Sequence, residues 1–144
     1  MSPAITLETA RRIMAGALEE ADKAGMAPLA IVVLDAGGHL KAFERQDGAS
    51  NLRYEIARGK AYGAIGLGVG SRALMKRAEA QAYFIAAANG AFGGALIPVP
   101  GGVLVRDGNG ELLGAVGVSG DSSDNDERAA LAGIGAVGLV GETG

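Results

Sequence analysis

Apolar residues recur along this chain in two rhythms, one helical and one of strands, and their order predicts the architecture. Leu7, Ala10, Met14, Ala17, Leu18 and Ala21 trace one face of a first helix, with Thr6 placed to cap its start and Gly25 to stop it. Pro28 breaks that pattern. Ile31 to Leu34 then form a continuous apolar strand, Asp35-Ala36-Gly37-Gly38 supplies a reversal, and His39 to Gln46 return with apolar and charged residues mixed. Asp47-Gly48 and Ser50 turn the chain into a second helix over about Asn51–Ile65, whose Leu52, Ile56, Gly59 and Gly63 are expected to face the core.

Gly66-Leu67-Gly68-Val69-Gly70 follows a helix and lacks the spacing of a nucleotide-binding loop, so it reads as a helix–helix connection. Ser71 can cap a third helix over Arg72–Asn89, only moderately amphipathic and with a break expected in its middle. Asn89–Gly102 is rich in glycine and proline, with a short edge strand expected near Leu96–Ile97. Val103–Arg106, the turn Asp107-Gly108-Asn109-Gly110 and Glu111–Ser119 make a second hairpin. Leu112–Val118 is apolar on both faces and therefore predicts a central, doubly covered strand. A last helix, capped by Asp124 or a neighbour, presents Leu131, Ile134 and Val137. Together these elements predict one α+β domain over residues 1–144, an antiparallel sheet of about five strands with helices packed against it.

Composition changes this picture in two places. Of 144 residues 25 are glycine, and several fall inside periodic segments: Gly114 and Gly117 in a strand, Gly133, Gly135 and Gly138 in a helix. Each costs roughly 0.5–1 kcal/mol relative to alanine unless backbones approach closely there, which predicts tight packing between elements or between subunits. A small domain that is 49% hydrophobic and 4% aromatic is also expected to bury surface in a homo-oligomer. The chain has no cysteine, which excludes disulfides, thiolate nucleophiles and cysteine-ligated metals. A net charge of −3 argues against a nucleic-acid surface, and Arg72, Lys76 and Arg77 read as a solvated helix face. No apolar run reaches membrane-spanning length, and no basic segment precedes an apolar one at the start, so a soluble, cytoplasmic chain is expected; a mature secreted chain shares this signature.

The candidate chemistry gathers around charged residues at element ends. The second strand delivers Glu44, Arg45 and Asp47 to one region, as ligand contacts or as a solvated strand end with a surface ion pair. Lys60 stands four positions after Ile56 at the edge of the second helix's apolar stripe. It either snorkels or joins Arg45 as an anion-binding corner for a carboxylate, with Phe92 and the loop containing Pro100, Gly101 and Gly102 as its walls. His39 is the only histidine and follows a turn, which suits a surface position better than a metal ligand; no metal site is expected. Asp121, Asp124, Asp126 and Glu127 sit at a strand-to-helix junction, where capping and the helix dipole stabilise carboxylates. Hydrolase elbows and a second histidine are missing, so an enzymatic reading falls on proton transfer, with Glu44, His39 or Glu127 as base.

Val32–Ala49, Ile56–Ala64, Pro98–Gly120 and Asp121–Glu127, taken in that order, resemble the GlcG/HbpS family of haem-binding-type proteins, which is similar to the PduO C-terminal domain. The resemblance implies a profilin-like or roadblock-like sandwich that assembles into dimers, tetramers or octamers. It implies haem or another small anionic molecule as ligand, with the Arg45/Lys60 corner holding a haem propionate. Tyr54, Tyr62, Tyr83 and Met75 are then the candidate axial ligands. The E-x-x-E pattern associated with iron in some members does not occur here. A second implication, from the glycolate-utilisation setting of GlcG-like proteins, is an isomerase, tautomerase or lyase acting on a small hydroxy or oxo acid.

Overall fold

The computed structural model describes residues 4–144, so the first three residues of the expected domain lie outside the described residues. The first helix, α1 (Leu7–Ala24), has the ends its sequence predicts: Thr6 Oγ1 accepts from the N–H of Thr9 at 3.0 Å, and Gly25 closes it in the left-handed conformation at φ 66°. There follow β1 (Ala30–Asp35), β2 (Leu40–Arg45), α2 (Arg53–Leu67), α3 (Ser71–Ala80), α4 (Ala82–Ala91), β3 (Gly102–Arg106), β4 (Leu112–Ser119), α5 (Ser123–Ala136) and β5 (Val140–Glu142). The strands form one open antiparallel sheet in the order β2-β1-β4-β3-β5, with β4 central and buried along nearly its whole length.

Strand alternation divides the core. Ile31 and Val33 of β1, Val103 and Val105 of β3, and Val116 and Val118 of β4 face α1 and α5. Val32, Leu34, Leu104 and Ala115 face α2. That second face is built from small residues on both sides, Ala57, Ala61 and Ala64 against Ala115 and Gly117, so α2 lies close on the sheet. A methyl group at Gly117 would strike the Ala57 carbonyl, and one at Gly133 the Ile13 carbonyl where α5 crosses α1. The glycine density inside these elements thus serves packing within the chain; Gly135, by contrast, has nothing near it.

Three sequence expectations need correction. Leu96–Ile97 is a loop, because Leu96 buries its side chain beside Gly63 and Leu74 while the Ile97 N–H turns to the Gly59 carbonyl of α2. The fifth strand is instead β5, paired with β3 through Leu104, Val105 and Arg106. Gly70 rather than Ser71 occupies the N-cap of α3, and the Ser71 hydroxyl accepts from the Gly102 N–H at 2.7 Å, fastening α3 to β3. Leu52 is 65% exposed, since Ala57, Ala61 and Ala64 take the sheet-facing side of α2. The break expected in the third helix falls at Gln81, between α3 and α4.

Candidate functional site

One flank of α2 carries Tyr54, Arg58 and Tyr62 at i, i+4 and i+8, all half-buried, with both tyrosines packed against the edge of the core under the helix. Neighbouring elements supply aromatic partners. Phe43 of β2 meets Tyr54 edge to face, with ring centroids 4.7 Å apart and planes at 70°. Arg58 lays its guanidinium over Tyr62, 4.5 Å from the ring centroid, and Tyr62 in turn meets Phe92 at 5.3 Å and 84°. Stacking of this kind orients the arginine fork while leaving its N–H edge free for a carboxylate.

Beside this stripe a cleft of about 480 Å³ opens between the first half of α2 and the α4–β3 loop. Leu52, Ile56 and Ile97 give it apolar walls, Gly93 to Ala95 form one side, and Tyr54, Glu55 and Arg58 supply the polar groups. Its size and composition match a small-molecule site, in which a mostly apolar surface carries a few convergent polar groups. Phe92 packs against Tyr62 and Gly66 of α2 and does not line the cleft, whose wall starts with Gly93, the next residue in the chain.

Lys60 and Arg45 do not meet. The Lys60 side chain is 2% exposed; its ammonium donates to the Val118 carbonyl at 2.9 Å and to Asp126 Oδ2 at 3.0 Å. Asp126 is 1% exposed, and its other oxygen accepts from the Asp121 N–H. Burial pushes the Lys60 ammonium down and the Asp126 carboxyl up from their usual ranges, and each charge opposes the shift of the other. Arg45 lies on β2, two strand spacings from β4, or roughly 9–10 Å. It lines a shallow polar notch with Met26, Pro28, Gln46 and Asp47. The corner expected from the two cations is therefore absent within one chain, because Asp126 already neutralises Lys60.

The loop residues divide accordingly. Pro100, Gly101 and Gly102 are buried, with Gly101 against the Lys60 ammonium and Gly102 against the Lys60 carbonyl and Ser71 Oγ. Phe92, the other expected wall, packs on Tyr62, and none of the four lines the cleft. The expected bases stand apart. His39 is exposed at the β1–β2 turn with Nδ1 3.4 Å from Asp35 Oδ1, and Glu44 is exposed on β2, roughly five residue rises of about 3.3 Å from His39. Glu127 is taken by the Arg72 guanidinium at 3.0 Å. Among the four tyrosine and methionine candidates, Tyr54 lines the cleft and Tyr62 adjoins it, whereas Tyr83 faces outward and is 73% exposed.

An antiparallel sheet held between helices, with a cleft along its α2 layer, defines an α+β sandwich of the HbpS/PduO kind. The chain belongs to the HbpS-like family, described as haem-degrading proteins, which matches residues 5–135. PduOC, solved as a haem complex, superposes with a TM-score of 0.85 at 23% identity, covering 96% of this chain and 98% of that one. A double mutant of Streptomyces reticuli HbpS gives 0.81 at 30% identity, over 95% and 89% of the two chains. Klebsiella pneumoniae protein ORFY gives 0.83 at 25% identity, over 96% and 94%. Comparison with curated protein sequences yields no significant match.

Proposed function

We propose that this chain binds haem in the cleft between α2 and the α4–β3 loop. Leu52, Ile56 and Ile97 would pack the macrocycle, Arg58 would take a propionate, and the Tyr54 phenol would face the iron. The observation that carries the reading is the pairing of apolar walls with one oriented arginine and one tyrosine in the same cleft. The family description and the haem complex of PduOC support it. When bound, haem supplies redox-active iron; the protein supplies the apolar enclosure, the anion contact and an oxygen ligand. Arg58 replaces Arg45 and Lys60 as the anion contact, since it alone of the three reaches the cleft.

The test is titration of haemin into the purified protein, followed at the Soret band. Saturable binding is expected, with the band position altered by Tyr54→Phe. Absence of saturation contradicts the reading.

We also infer a homo-oligomer. From Ala80 to Val105 the chain has no Asp, Glu, Lys or Arg, yet Tyr83, Ala86, Ala87, Gly90 and Ala91 of α4 are exposed on one face. An exposed face without charge has the composition of an interface core. It continues into Gly93 and Gly94 of the cleft, so a neighbouring copy seated on α4 would border the ligand.

A further inference from the structure

Arg72, Arg106 and Arg128 each meet a carboxylate, Glu127, Glu142 and Glu20 respectively. Arg77, near the end of α3, meets none among the described residues. Its guanidinium is nevertheless fixed: Cζ lies 3.9 Å from the centroid of the Phe84 ring, and Nε donates to Gln81 Oε1 at 2.6 Å. Two contacts hold the group while its terminal nitrogens stay unpaired. An exposed arginine normally spends its rotamer freedom; this one is already ordered.

Arg77 and Phe84 border a second cavity of about 200 Å³, formed by the end of α2, α3 and the start of α4. Leu67, Val69, Ala73, Leu74 and Phe84 line it, and Arg77 is its single charged group. A dry apolar cavity of about 150 Å³ is enough to hold a benzene ring. We infer that this cavity binds a small monocarboxylate with an apolar body, an aryl or short alkyl acid, whose carboxylate engages the terminal nitrogens of Arg77. The apolar body replaces water against Leu67, Val69 and Leu74, and the prepositioned fork supplies a charge-assisted contact without further ordering. No residue lines both this cavity and the α2 cleft, so the site stands or falls independently of haem binding.

Benzoate is the probe, followed by amide chemical shifts in nitrogen-15-labelled full-length protein, with benzyl alcohol as the uncharged ring of similar shape. Saturable shifts centred on Leu74, Arg77 and Phe84 are expected with benzoate, and binding about tenfold weaker or worse with benzyl alcohol. Arg77→Gln should bring benzoate down to the level of the alcohol, and Val69→Phe, which fills the cavity, should abolish both. Each variant is to be checked for a wild-type amide spectrum in buffer; should Val69→Phe unfold, Arg77→Gln alone still decides. Shifts that do not saturate, that centre elsewhere, or that are equal for acid, alcohol and Arg77→Gln overturn the proposal.

Discussion

Lys60 Nζ and Asp126 Oδ2 lie 3.0 Å apart with both side chains sealed from water, joining a helix on one face of the sheet to a helix on the other. The pair forms beyond the last β3–β4 pairing, Gly102 with Gly117, where the Val118 carbonyl takes a hydrogen bond from lysine. Asp126 also receives the Asp121 N–H, so one buried carboxylate fixes both the helix contact and the loop leading into α5.

Removing one member strands the other charge in the interior. Lys60→Met or Asp126→Leu alone should cost about 3–5 kcal/mol, and the double substitution less than either. Urea unfolding midpoints check this. Single variants within 1 kcal/mol of wild type, on the order of an exposed pair, would show that the bridge is not the fastening described.

Gly117 lets α2 lie against β4, and Gly133 lets α5 cross α1 backbone to backbone. Alanine at either should lower stability by about 1–3 kcal/mol, the scale of overpacking. Gly135→Ala meets open space inside α5 and should instead stabilise by about 0.5–1 kcal/mol. Calorimetric Tm values for the three variants separate the cases; equal losses at all three contradict the packing account.

Acid sensitivity should arise in part from Asp121. The Ala27 N–H donates to its Oδ1 at 2.8 Å and the Asn125 amide to its Oδ2 at 2.7 Å, and these bonds, with the Ser122 N–H, hold the carboxyl below its ordinary 3.8. A folded-state value below the unfolded one means that the folded chain binds fewer protons across that window. The stabilisation is full above the unfolded value and is lost as pH falls through the folded one. Asp121→Asn should therefore flatten the decline in stability below about pH 4, read from urea midpoints at stepped pH. An unchanged slope would exclude this carboxyl as a contributor.

Light scattering tests the uncharged α4 face. A mass that is a multiple of the chain is expected, shifting toward monomer on Ala87→Glu. A wild-type monomer at micromolar concentration contradicts the assembly.

Elements fixed by neighbours in sequence were legible in it: Thr6 and Gly25 bound α1, and the two-faced apolar run identifies β4 as central. Residues whose partners arrive from afar were not. Lys60 looks like a stripe-edge lysine until Asp126, on another helix, is brought to it, and Ser71 looks like a cap until Gly102 offers its N–H. β5 has three residues, too few for a periodic signal. The cleft was half readable: Tyr54 and Tyr62 share one helix face by spacing alone, as does Arg58, which the sequence reading passed over, but Ile97 enters it only because Gly59 lets the α4–β3 loop lie on α2.

The most direct measurement is the haemin affinity of Arg58→Ala set beside that of Arg45→Ala. Loss of one charge-assisted contact should weaken Arg58→Ala about tenfold, near 1.4 kcal/mol, while Arg45→Ala keeps wild-type affinity. Equal affinity in wild type and Arg58→Ala, or a loss confined to Arg45→Ala, would place the haem away from the α2 cleft.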